Sequence, residues 1–95
     1  MKVLYKEPGK AFEIREVENT LEDLQKAVGG HIETFTFDDD ACIICDEEGV
    51  FNDKDFNCRL FTQQFFGTIL IAGIDGDEFT DVPRIWASLF EGVEV

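Results

Sequence analysis

The residues best suited to redox, metal or nucleophilic chemistry are three cysteines and a single histidine. Cys42 and Cys45 form a C-x-x-C pattern, a spacing used by zinc sites and redox pairs. They lie in the continuous apolar run 41–45, which is typical of a strand. Residues three apart on a strand point to opposite faces. We therefore predict that these two thiols form no disulfide and bind no zinc.

The other groups also lack the partners that such chemistry requires. His31 has no nucleophile or acid near it in the sequence that would make it a general base. Residues 53–57 imitate the first half of a calcium-binding EF-hand loop, but Cys58 replaces the required glycine and Gln64 replaces the bidentate glutamate. We expect no cofactor and no enzymatic activity, and a small-ligand or metal-dependent enzyme is the least favoured alternative.

Aromatic residues are concentrated in residues 51–66, which hold five of the ten phenylalanines. One short strand and a loop cannot easily bury so many rings, and exposed aromatic residues are typical of binding surfaces. The sequence therefore predicts a protein-interaction module. The alternative that these rings fill a core beneath a long loop stays open. The predicted surface consists of Phe51, Phe56, Arg59, Phe61, Phe65 and Phe66.

The formal net charge of −13 over 95 residues limits the kinds of partner. Nucleic acid and anionic membrane surfaces would repel this chain, whereas a basic protein would be attracted. The alternative that the chain forms a homodimer stays open. An acidic mimic of nucleic acid is the second hypothesis. However, thirteen charges over roughly 5,500 Å² give about one per 430 Å², which is several-fold sparser than duplex DNA at one per ~1.7 Å of axis. The acidic residues lie at turns along the whole chain, which favours a charge dispersed over the surface rather than gathered on one face.

Local patterns predict one domain over residues 1–95, with strands in its first half. Residues 2–6 and 11–17 read as strands joined by a Pro8-Gly9 type II turn. Thr20 is a good helix cap, and Gly29 can end the helix in a left-handed conformation. A strand follows from His31, and the run 41–45 suits a strand covered on both faces.

The second half is predicted to hold the central strand and a second helix. Residues 46–49 read as a hairpin turn from which Val50 and Phe51 begin a returning strand. Residues 66–74 form the most apolar strand, and Thr80 is predicted to cap a final helix with Pro83 in its first turn. That helix carries an apolar stripe at helical spacing. The expected fold class is α+β, a small, mostly antiparallel sheet with two amphipathic helices packed on one face.

Three further patterns bear on location. Charged residues interrupt the start of the chain before any apolar core forms, which predicts no signal peptide. The longest apolar run is too short to span a bilayer. An odd number of cysteines fits a reducing compartment, so we expect a cytoplasmic protein.

Several short motifs together resemble a family of small proteins built on a domain of unknown function. They are Leu24-Gln25 followed by Val28-Gly29-Gly30 and Ile32-Glu33, then Cys45 with Glu47-Glu48-Gly49, Asn57 with Arg59, and Gly67-Thr68. The family occurs in phages, conjugative elements and Gram-positive gut bacteria. The resemblance implies an intracellular accessory protein of a mobile element. It implies no reaction and no catalytic residues.

Overall fold

The computed structural model describes residues 1–95. Two helices and eight strands follow one another along the chain. They are β1 Lys2–Lys6, β2 Glu13–Glu16, α1 Leu21–Val28, β3 Ile32–Asp38, β4 Ala41–Asp46, β5 Phe56–Leu60, β6 Gln63–Phe66, β7 Ile69–Asp75, β8 Glu78–Thr80 and α2 Arg84–Phe90. Neither helix is long and apolar enough to cross a membrane.

The main sheet has the strand order β2-β1-β7-β4-β3, with β8 paired to the end of β7, and β5 and β6 form a separate hairpin. Every pairing is antiparallel. The predicted α+β class and antiparallel sheet are confirmed. The predicted central strand is β7, which pairs with β1 on one side and β4 on the other.

The two helices pack on opposite faces of the sheet, so the prediction that they share one face is wrong. Leu24 and Val28 of α1 lie in one buried cluster with Ile44, while Trp86 and Phe90 of α2 pack against the other cluster. The physical reason is the composition of β4, whose residues are all buried. A strand that is apolar on both faces needs a cover on each side.

Local capping signals in α1 act as the sequence predicts. Thr20 Oγ1 accepts a hydrogen bond from the Asp23 N–H at 3.1 Å. Gly29 is left-handed at φ 76°, and its N–H donates to the Gln25 carbonyl. The chain then turns directly into β3, so α1 and β3 are held as one unit.

Three predicted elements differ from those observed. Val50 and Phe51 start no strand, because residues 47–53 form successive turns. The predicted strand 66–74 is divided, because Gly67 adopts φ 78° between β6 and β7. Thr80 belongs to β8, and Pro83 takes the N-cap position of α2. Each difference depends on packing of the β5–β6 hairpin or β8, which local propensity does not report.

Candidate functional site

The six residues of the predicted interaction surface are not gathered on one surface. Phe51 is 86% exposed and Phe56 is 52% exposed, whereas Phe65 is buried in the core cluster. Phe66 is partly buried, and its ring meets that of Phe56 edge-on at 5.6 Å. Arg59 is exposed on β5. The phenylalanine-rich segment therefore contributes both to the core and to the surface.

Phe61 belongs to a separate group of rings at the far end of the hairpin. It stacks on Phe37 with ring centroids 4.4 Å apart, and it meets Trp86 and Phe90 edge-on. The Trp86 indole N–H donates to the Asp38 carboxylate at 3.1 Å. This aromatic group docks the hairpin and α2 onto β3.

The hairpin turn itself is conformationally costly. Phe61 and Thr62 have φ values of 50° and 68°, a left-handed pair that glycine and asparagine usually supply. A β-branched residue such as Thr62 rarely adopts this conformation. The aromatic contacts of Phe61 offset the strain and fix the direction of β6.

A groove of about 220 Å³ lies where β6 passes β3. Glu33, Thr34 and Phe35 of β3 form one wall, and β6 forms the other. Turn residues Glu47, Gly49, Val50 and Phe51 close one end. A side chain at Gly49 would come within 2.9 Å of the Phe66 carbonyl oxygen, so the turn packs directly against the backbone of β6.

The turn that carries Phe51 is held by a buried ion pair. The Lys54 ammonium lies 2.6 Å from the Asp46 carboxylate, whose side chain is 1% exposed. Lys54 also donates to the carbonyls of Val28 and Gly29 at the end of α1, at 2.7 and 2.9 Å. No sequence pattern predicts this group, because the partners of Lys54 lie up to 26 residues away.

Two further hydrogen-bond donors contact the Asp46 carboxylate. It accepts from the Glu48 N–H at 2.9 Å and from the Asn52 amide at 3.0 Å. Burial by itself raises the pKa of Asp46, but the bonds from Lys54, Glu48 and Asn52 outweigh burial and hold the pKa below its ordinary value. Phe51 is therefore displayed on a turn whose base is fixed.

The cysteine thiols are poorly suited to nucleophilic or metal chemistry. Cys42 and Cys45 lie in different clusters on opposite faces of the sheet, as strand geometry predicts. Burial raises the pKa of each to about 11, and burial also raises the pKa of Cys58. Thiolate is the reactive and metal-binding form, and burial disfavours it at all three cysteines.

Charge around the groove is negative and mostly uncompensated. Its lining holds Glu33, Asp46 and Glu47 and includes no lysine, arginine or histidine. Asp46 is neutralised by Lys54, whereas neither Glu33 nor Glu47 forms a salt bridge. The groove thus combines an exposed aromatic ring with two free carboxylates, a combination suited to a partner with apolar and basic groups.

Comparison with known proteins identifies the family to which the chain belongs. No curated protein and no solved structure matches the chain. Residues 1–92 match the domain of unknown function DUF3846. Because this match spans nearly all of the 95 residues, the chain belongs to the DUF3846 family.

Proposed function

We propose that this protein is a non-enzymatic interaction module that binds a protein partner at the groove between β3 and β6, with Phe51 as its main anchor. The observation that carries the proposal is the 86% exposure of Phe51 on a turn whose base is pinned by Asp46 and Lys54. Val50, 62% exposed, lines the groove beside the Phe51 ring, and neighbouring exposed apolar side chains mark a binding site where a single one does not. A binding surface uses such a ring as an anchor, because its burial on contact is strongly favourable.

The resemblance to proteins of phages and conjugative elements supports a narrower setting. We place this module in the cytoplasm of a bacterial host, as an accessory protein of a mobile element. Its partner is a basic protein rather than nucleic acid or membrane, because the net charge of −13 repels both of the latter.

The test compares two serine substitutions at exposed apolar positions. Phe51→Ser removes the anchor, whereas Leu89→Ser changes a side chain on α2 that is 58% exposed and lies outside the groove. Both variants should keep the wild-type melting temperature, because neither position is packed in the core. Tagged proteins are used for affinity purification from the native host, with captured proteins identified by mass spectrometry.

We expect Phe51→Ser to lose a partner that the wild type and Leu89→Ser both retain. Retention of every partner by Phe51→Ser would show that the groove is not the binding surface. A captured DNA-binding protein could instead dissociate in high salt and still bind the Phe51→Ser variant. That outcome would favour the nucleic-acid mimic. A large fall in the melting temperature of Phe51→Ser would show that the ring is structural.

A further inference from the structure

The outer edge of β3 is unpaired along its whole length. β3 is seven residues long and pairs only with β4. The Glu47 N–H donates to the His31 carbonyl at 2.8 Å, and this bond sets the alternation of the ladder. Residues Ile32, Thr34 and Thr36 therefore direct their N–H and C=O groups away from β4. These three residues offer a row of backbone donors and acceptors to an incoming strand.

The opposite edge of the sheet is less suited to that role. β2 is four residues long, and three of these residues are charged. Short edge strands with charged side chains discourage pairing with another chain. β3 has Thr34 and Thr36 at its centre instead, both exposed and both compatible with a paired strand.

Negative charge flanks the β3 edge on both faces of the sheet. On the groove side lie Glu33 and Glu47. On the other face Thr34 and Thr36 border a second cavity, which Asp77 and Glu78 also line and which has no basic residue. None of these four carboxylates forms a salt bridge. Side chains of an added strand alternate between the two faces, so basic residues would meet a carboxylate on either side.

We propose that the β3 edge accepts an extended, cationic segment of the partner protein as an additional strand, with an apolar side chain of that segment against Phe51. This inference rests on the proposed function and specifies its partner. Backbone hydrogen bonds to Thr34 and Thr36 supply much of the affinity, and the carboxylates and Phe51 select the side chains. A second copy of this chain is the less favoured occupant, because each copy carries a net charge of −13.

The first test uses two synthetic peptides of about eight residues, long enough to cover the edge. Both place lysine or arginine on each face of the extended chain and phenylalanine on the face that meets Phe51. One of them is N-methylated at consecutive central amides, so it keeps its charge and side chains but lacks the N–H groups needed to pair along either of its edges. Fluorescence anisotropy should show binding of the unmodified peptide that is at least about tenfold tighter, because two or more hydrogen bonds are lost in the other. Equal binding would mean that charge alone attracts the peptide, and would overturn the proposal.

The second test uses variants of the intact protein. Thr34→Pro removes an edge N–H at a position where proline is tolerated, and circular dichroism checks that it folds. The matched control is Glu16→Pro on the other edge, also exposed. We expect only Thr34→Pro to weaken binding of the unmodified peptide, by about tenfold.

The outcomes separate this inference from the proposed function. If Phe51→Ser releases the cellular partner and a folded Thr34→Pro does not, the module and groove stand and strand addition is wrong. If both variants keep the partner, the proposed function fails as well. A wild-type dimer in analytical ultracentrifugation that Thr34→Pro converts to monomer would identify a second copy as the occupant and overturn the cationic segment.

Discussion

The ion pair between Lys54 and Asp46 allows the most quantitative prediction, through the substitution Lys54→Met. Methionine keeps much of the packing of the lysine stem and removes the ammonium group. That group makes three close contacts, to Asp46 and to the carbonyls of Val28 and Gly29. After substitution, the Asp46 carboxylate stays buried with only its bonds from Glu48 and Asn52.

Removing one partner of a fully buried ion pair costs about 3–5 kcal/mol. The Lys54 side chain is 21% exposed, so water reaches the pair. Solvation of the unpaired Asp46 carboxylate then reduces the destabilisation. We therefore expect Lys54→Met to lower the free energy of unfolding by about 2–3 kcal/mol at pH 7. Lys26→Met is the matched control, because Lys26 forms an exposed pair with Glu22. Such a pair contributes little to stability.

The dependence on pH distinguishes a lost ion pair from lost packing. In the wild type the pKa of Asp46 is lowered, so this carboxylate stabilises the fold above its unfolded pKa of about 4. That contribution is lost as the pH falls through the folded pKa. In Lys54→Met, uncompensated burial raises the pKa of Asp46 instead, and protonation relieves the cost. The difference between the two proteins should therefore shrink as the pH approaches about 3.

The assay is urea denaturation followed by the fluorescence of Trp86, the only tryptophan, at neutral and acidic pH. The double variant Asp46→Asn with Lys54→Met should be more stable than the sum of the single changes, because no charge is left unpaired. A loss for Lys54→Met of less than about 0.5 kcal/mol, or one that does not change with pH, would show that the pair does not hold the turn.

Three further predictions concern the hairpin and α2, each measured by chemical denaturation. Phe65→Ser should cost about 3–5 kcal/mol, because this ring is buried in the core, and Phe56→Ser, at a half-exposed ring, should cost much less; equal losses would contradict the separation of core and surface. Trp86→Ala, followed by circular dichroism, should cost about 2–3 kcal/mol, below the range for a fully buried tryptophan, because Trp86 is only partly buried; a loss under about 1 kcal/mol would mean that α2 hardly contributes. Thr62→Gly should stabilise the protein by about 0.5–1 kcal/mol by relieving the left-handed turn, and destabilisation would show that the threonine side chain is needed there.

The parts of the fold that the sequence predicts are those set by residues close together along the chain. The Thr20 cap and the Gly29 terminus of α1 act within a few residues of each other, and the apolar run of β4 reports its own burial. The arrangement of the helices could not be derived this way. Burial of β4 on both faces shows that two covers exist, but the sequence does not state which helix covers which face.

The candidate site was predictable only in composition. An excess of phenylalanine in residues 51–66 is visible in the sequence, and it indicates that some of these rings are exposed. Which rings are exposed depends on where the hairpin docks. Phe65 is buried because β6 passes over the sheet, and Phe51 is exposed because Lys54 holds its turn to the end of α1. Both contacts join segments far apart in the chain, beyond the reach of propensity or periodicity.

The position of β3 at the open side of the sheet also has a consequence for hydrogen exchange. β4 and β7 are covered by side-chain clusters on both faces, so their amide protons can reach solvent only when the whole domain unfolds. The outward amides of Thr34 and Thr36 have no internal acceptor and exchange from the native state. Neighbouring strands of one sheet therefore differ widely in the exchange rates of their amides. Binding of a partner at this edge would be detected as new protection at Thr34 and Thr36, with no change in β7.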